Sequence, residues 1–399
     1  MNVFCVLLLF LIPSLVYGQN ASERLTETGF ENIREVCCDD TVYASIEDPT
    51  YRGVFRGPGV VLNVLRSVYP SANVFNLVIK EDNKGRVAIE AINDDGAWSV
   101  DVSYDSRLIE KKLDDLCGDD MQSKSYGKIN IIMYPIVSLD NHLLYKLFSY
   151  GVLIAPSVET TLWKGNHVVL QPIIPLFNNY DFFEETANRH VQIGSLNIQQ
   201  DFTANAKWWG RLSAGFFHYN YLGLNLEAGR HFTKAFDCGV ELSLARWQDM
   251  NSGVLKIADD NLFGALLKMN YYHSETSLDL GLTMGRFLYG DYGVRGDLGC
   301  RFGEYFIGVY ATLTGGEHNA GFNFSIPMSG KKQKRMGFVS VRIPESFDWE
   351  YSMSSNFDWK DKNCGKTVEV KAAKDKAAHY WEADYIKEYL KKFLNGEVD

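Results

Sequence analysis

The sequence predicts a mainly β fold: a transmembrane antiparallel β-barrel of about 12 strands, with a small N-terminal α/β module and a C-terminal helix. Three observations predict it. Between residues 125 and 358, segment after segment alternates apolar with polar residues at a period of two. Large aromatic residues crowd the ends of those segments, as in Tyr219 and Tyr221, Phe232 and Phe236, Trp247, Tyr271 and Tyr272, Phe287, Tyr289 and Tyr292, and Phe302, Tyr305 and Phe306. Glycine recurs on the polar side, at Gly223, Gly229, Gly239, Gly281, Gly285, Gly293, Gly299 and Gly308.

Each part follows in chain order. Residues 1–18 read as a signal peptide: a short apolar run ends in Gly18 and gives way to polar QNASER. Residues 19–120 form the α/β module. TVYASIED (41–48) alternates like a strand. GPGVVLNVLRSVYP (57–70) repeats Val60, Val61, Val64, Leu65 and Val68 at helical spacing, and Pro70 stops it. VFNLVIKED (74–82) and GRVAIEAIND (85–94) form a hairpin, and SRLIEKKLDDL (106–116) a second helix.

Residues 125–358 are the barrel. In YLGLNLEAGRHF, Leu222, Leu224, Leu226 and Ala228 face away from Gly223, Asn225, Glu227 and Gly229. AFDCGVELSLARW, TSLDLGLTMGRF and YFIGVYATLT repeat the pattern. The best segments are about ten residues long, the length a tilted strand needs to cross a bilayer. A soluble sandwich also alternates. It would hold its largest rings mid-strand in the core, however, and its wet outer face would have no use for glycine. Inside a narrow barrel, small residues make room for charged side chains. Residues 364–399 form a helical tail, with Tyr385, Ile386, Tyr389, Leu390 and Phe393 at helical spacing, packed outside the barrel.

Composition bounds the function. The chain has 399 residues and a net charge of -10, which argues against nucleic acid as a partner. No Cys-x-x-Cys spacing suggests a metal, and no cofactor motif is present. A disulfide from Cys37 or Cys38 to Cys117 is open to an exported protein. Arg211, Glu227, Asp237, Glu241, Asp279, Asp291, Arg295, Asp297 and Arg301 fall on the polar side and are the candidate lumen residues. They could contact a sugar polymer, or they could pair with one another and fill the tube. The second is the commoner fate of buried charge. His218 and His273 sit near strand ends with no nucleophile in range, so no catalytic residue is assigned. The basic loop SGKKQKRMG (329–337) reads as a solvated loop. Gly53, Gly57 and Gly59 read as turn geometry rather than an anion cradle.

GRFLYGDYGVRGDLGCRF (285–302), followed by GVYATLT and GFNFSIPM, resembles the closing strands of the YjbH/GfcD-type outer-membrane proteins. NRHVQIGSLNIQQDF and WWGRLSAGFFHYNYLGLNLEAG resemble the same family's middle strands, and YRGVFRGPGVVLNVLRSVYP its small α/β module. The resemblance implies a non-enzymatic barrel in the outer membrane of a Gram-negative bacterium, taking part in exopolysaccharide or capsule secretion. Its partners would be outer-membrane lipid, a polysaccharide and periplasmic secretion components, with module and tail in the periplasm. The alternatives are a polysaccharide-modifying enzyme of the envelope and a structural anchor for periplasmic partners.

Overall fold

The computed structural model describes residues 20–94, 96–141, 148–180, 190–205, 207–249, 255–333, 335–353, 357–376 and 380–398. The expected signal peptide lies outside them.

The first unit is a five-stranded sheet with helices. α1 (Ala21–Thr28) leads into β1 (Glu31–Cys38) and β2 (Thr41–Glu47). α2 (Arg56–Val68) crosses to β3 (Val74–Glu81), and β4 (Lys84–Asp94), β5 (Ala97–Ser103) and α3 (Arg107–Cys117) follow. The strands lie in sequence order. β2 and β3 are parallel, and α2 is the crossover that such a pair requires. Val61, Leu62 and Leu65 of α2 are fully buried and share one core with Phe75, Leu77 and Trp98. β3 and β4 meet at a two-residue turn. Asp82 and Asn83 both have positive φ, 51° and 55°, the backbone that matches the twist of a tight hairpin.

The second unit is a sheet of 15 strands. In order they are β6 (Ile129–Asn141), β7 (Phe148–Thr160), β8 (Asn166–Asn178), β9 (Gln192–Asn205), β10 (Trp208–Phe217), β11 (Tyr221–His231), β12 (Phe236–Asp249), β13 (Lys256–Ile257), β14 (Leu262–His273), β15 (Leu278–Arg286), β16 (Tyr292–Phe302), β17 (Tyr305–Thr314), β18 (Glu317–Pro327), β19 (Val339–Arg342) and β20 (Ser346–Ser352). Apart from the two-residue β13, neighbours from β6 to β18 pair antiparallel.

The ends of this sheet differ from a simple antiparallel barrel. β19 pairs parallel with β6, and β20 pairs antiparallel with β18. The chain joins β19 to β20 through Ile343, Pro344 and Glu345 alone. Three residues reach about 10 Å at most, so the two edges lie side by side. The Trp349 indole N–H of β20 donates to Val137 O of β6 at 2.8 Å. Among the described residues no ladder pairs β20 with β6. The sheet curls until its edges meet, but its backbone hydrogen bonding is not continuous around the ring.

The polarity of the sheet is inverted relative to a water-soluble protein. Leu298 is 47% exposed and Val309 55%, whereas Asn225 is 1% exposed and Glu241 3%. The uncharged flank faces out and the polar flank is buried. Aromatics at strand ends split between the faces: Tyr219, Phe232, Trp247, Tyr292, Phe302 and Tyr305 are exposed, while Tyr221, Tyr272 and Phe287 are buried. Outward arginines occur at strand ends against rings, as Arg230 over Trp208 and Phe232 and Arg286 over Phe263. Glycines on the inner face make room for rings as well as for charges. A Cβ at Gly229 would lie 2.6 Å from the Trp209 indole, and one at Gly299 would lie 2.2 Å from Phe306.

The C-terminal segment passes through the curled sheet. After α4 (Phe357–Asp361) it runs irregularly along the buried polar face. It ends in α5 (Ala383–Leu394), which docks on α2 and β5 of the module. Helix is thus confined to part of the stretch expected as a helical tail. Ala383, Ile386 and Leu390 of α5 are fully buried. Gly59 of α2 accommodates Phe393 of α5; a Cβ there would lie 2.2 Å from its ring. Gly57 and Gly59 lie inside α2, and close packing accounts for them.

Candidate functional site: the occupied interior and the chamber under the module

The nine candidate lumen residues all have partners. Arg301 of β16 pairs with Asp279 of β15 at 2.5 Å. Arg295 holds Asp297 and Glu350, each at 2.8 Å, and lies 3.9 Å over the Tyr310 ring. Lys268 of β14 reaches Glu241 and, at 3.8 Å, Glu227. Asp237 accepts from Asn270 at 3.0 Å. Arg211 donates to Asp201 at 2.6 Å. Asp291 lies in the turn after β15, where it accepts from Thr314 Oγ1 at 2.6 Å and from the Gly365 N–H at 2.8 Å.

That last bond begins the path of the tail. Leu288 N–H donates to Lys366 O at 2.9 Å, and His218 N–H to Glu369 O at 2.9 Å. Deeper in, Asn197 Nδ2 donates to Val370 O at 2.7 Å. Lys371 Nζ meets Glu159 at 2.7 Å. The Ala372 N–H donates to Gln171 Oε1 at 2.9 Å and to Ser195 Oγ at 3.2 Å. Arg342 forms a two-toothed pair with Asp375. Lys376 reaches Glu81 of the module at 2.7 Å. Side chains of the wall thus satisfy a segment with no regular structure of its own, as buried backbone requires.

Ion pairs also bolt the module to the sheet. Glu304, in the turn between β16 and β17, accepts from Arg52 at 2.9 Å and Arg56 at 2.8 Å. Burial pulls its carboxyl upward, but the two guanidiniums more than offset this and hold it below the usual range. Asp201 takes Arg86 of the module together with Arg211. His167 of β8 places Nδ1 3.1 Å from Asp82 of the module and Nε2 3.0 Å from Glu159, which Lys371 also holds. Module, sheet and tail meet at that imidazole.

The basic loop is a strap rather than a solvated loop. Arg335 pairs with Glu31 at 2.9 Å, Gln333 N–H donates to Thr50 O at 2.8 Å, and Lys332 lies over Tyr51. No disulfide joins Cys37 or Cys38 to Cys117 in the structure. The His218 ring lies 3.9 Å from that of Tyr219, tilted by 36°, and His273 bonds Thr276 Oγ1 at 2.8 Å.

Where the three parts meet they line a half-open chamber of about 590 Å³. Its volume falls in the range of small-molecule sites. Trp209, His231 and Tyr104 form an aromatic wall, with His231 and Tyr104 stacked at 3.7 Å. Carboxylates of the module face the same space. Burial raises Glu47 to about 7, helped by the charge of Asp82, and raises Asp48 to about 7 against the N–H groups of Tyr51 and Thr50. Glu382 of the tail is raised to about 8 by burial, which Arg301 opposes.

The strands that supply Glu159, His167, Asp201, Arg211, Lys268 and Arg301 fall within the part of the chain that can be compared with known families. Residues 148–340 match the YjbH family. Its description is exopolysaccharide biosynthesis protein YbjH. The YjbH match takes in β7 through β18 and the first half of β19, and leaves out the module and the tail. No curated protein sequence matches the chain. Among solved structures, the chain is similar to OmpTdeltaL8, a loop-deletion mutant of an outer membrane protein of Vibrio cholerae. The identity is 9% and the TM-score 0.25, over 49% of this chain and 85% of that one. A likeness so loose carries no weight about the fold.

Several residues of the site lay outside the sequence expectation. Glu159, His167 and Asp201 sit on strands whose alternation is broken by Pro and Gln. Lys268 is a single charge in GALLKMNYY. Lys371, Asp375 and Lys376 come from the stretch expected as a helical tail outside the barrel. Only the topology shows that these residues are enclosed.

Proposed function

We propose that the chain is an outer-membrane β-barrel of a Gram-negative envelope that takes part in secreting or assembling an exopolysaccharide without catalysing a reaction. The observation that carries this reading is the inverted polarity of the large sheet: leucines and valines face out along β11–β17, while ion pairs are buried inside. Water would penalise that arrangement and hydrocarbon would favour it. The YjbH match supports the exopolysaccharide assignment. The short turns 232–235 and 303–304 lie at the module end, where Lys234 meets Asp101 and Glu304 meets Arg52 and Arg56. Short turns on the periplasmic side are the habit of outer-membrane barrels, which supports a periplasmic module.

A second reading, an anchor that recruits periplasmic partners, is favoured by the occupied interior. Two strains separate them. Loss of the whole chain should reduce surface polymer in either case. A chain lacking residues 364–399 should keep exporting polymer if the interior is a conduit, and should lose both partner recruitment and export if the tail is a dock. Normal polymer in a strain lacking the protein would reject both.

A further inference from the structure

We propose that the path filled by residues 364–376 is a binding groove for an extended glycan chain bearing amino groups, and that the tail is its tethered occupant. This inference rests on the barrel reading above.

The tail shows what the groove accepts. From Gly365 at one end to Lys376 at the other, it lies along the buried polar face as a single irregular chain. The wall donates to tail carbonyls, from Leu288, His218 and Asn197, and accepts from tail N–H groups and lysines. Asp291 takes a backbone N–H, Gln171 takes another, and Glu159 takes an ammonium. The tail over 364–376 carries Lys366, Lys371, Lys374 and Lys376 against Glu369 and Asp375. It is a polycation.

The charges of the wall explain why. Arg301, Arg295 and Lys268 are committed to carboxylates on neighbouring strands. Arg211 is committed to Asp201. Arg342 is the wall cation held by the tail itself, through Asp375. Withdrawing the tail leaves Glu159 with His167, which it shares with Asp82, and leaves Asp291 without its Gly365 partner. The surplus is acidic. A polyanion in this groove would meet like charge in a medium of low dielectric. A chain with amines would replace Lys371 on Glu159, and sugar hydroxyls would serve the amide oxygens that the tail backbone serves now.

Planar-bilayer recording tests this with the full-length protein and a chain truncated after Asn363. The full-length protein should be almost silent. The truncated one should conduct and, under a KCl gradient, reverse near the potassium potential. A glucosamine hexamer should block it at concentrations at least about tenfold below those of a galacturonate hexamer, and Glu159→Gln should raise the glucosamine concentration needed by about tenfold. An anion-selective or unselective pore, or equal block by the two oligomers, would overturn the proposal. Should the truncated chain fail to fold, the full-length Lys371→Ala/Lys376→Ala variant keeps α5 docked and should show intermittent cation-selective openings. Persistent silence of that variant would overturn the proposal. A chain that does not enter membranes at all would defeat the barrel reading; a folded barrel with the wrong selectivity defeats this inference alone.

Discussion

Replacing Leu242 by arginine puts a charge at the middle of the outward face. Leu242 lies in β12, in register with Leu226 on one side and Ala265 on the other, and is 41% exposed. Phe236 starts the strand six residues earlier. At a rise of about 3.4 Å per residue that is about 20 Å along the strand, or about 14 Å of depth at a tilt of about 45°. Half the hydrocarbon thickness is about 15 Å, so position 242 falls near the bilayer midplane. Arginine there costs about 2–4 kcal/mol. On a water-facing surface the same change stays within about 0.5 kcal/mol. Denaturant-driven unfolding from phospholipid vesicles, followed by tryptophan fluorescence, reads the difference. Arg246, four residues on, already sits at the end of the same outward row, so the penalty should be confined to the middle. A Leu242→Arg barrel as stable in vesicles as the parent would refute the reasoning.

Other perturbations test the interior. Asp201→Asn leaves Arg86 and Arg211 without their shared charge; because Arg211 is partly exposed, the cost should fall at the lower end for a broken buried pair, about 3 kcal/mol, and limited proteolysis should show a loosened module. Gly229→Val drives a side chain into the Trp209 indole and should cost about 1–3 kcal/mol, with a shift in tryptophan emission. Asp48 and Glu47 have folded pKa values raised to about 7, above the unfolded carboxylate values near 4. The folded module therefore holds more protons between about pH 4 and 7, and its stability falls as pH rises through that window. From pH 5 to pH 8 the loss should be about 2–3 kcal/mol for each carboxylate, about 5 kcal/mol for the two, read by hydrogen exchange of module amides, and Asp48→Asn should remove about half of it.

The strands were legible because their alternation is a local property. LNL, VELSL and LDLGL declare a buried and an exposed flank without any knowledge of neighbours. β1 was not legible, because ENIREVCC mixes charge into both flanks; β5 was missed although Trp98, Val100 and Val102 alternate as cleanly as β2 does. The candidate residues were legible as an inward set, but their pairing depends on register. Arg295 and Asp297 are two apart on one strand and could be matched by eye. Arg301 and Asp279 meet because β15 and β16 pair Asp279 with Gly299. The route of the tail was hidden because KAAKDK has the composition of a helix former and was expected outside the barrel. Its lysines are enclosed by carboxylates more than a hundred residues away, such as Glu159 and Glu81.

Cell fractionation followed by a carbonate wash tests the central claim most directly. The processed chain should stay with the outer membrane and change its gel mobility on heating, as a folded barrel does. Recovery of the folded chain from the soluble fraction, without detergent, would contradict it.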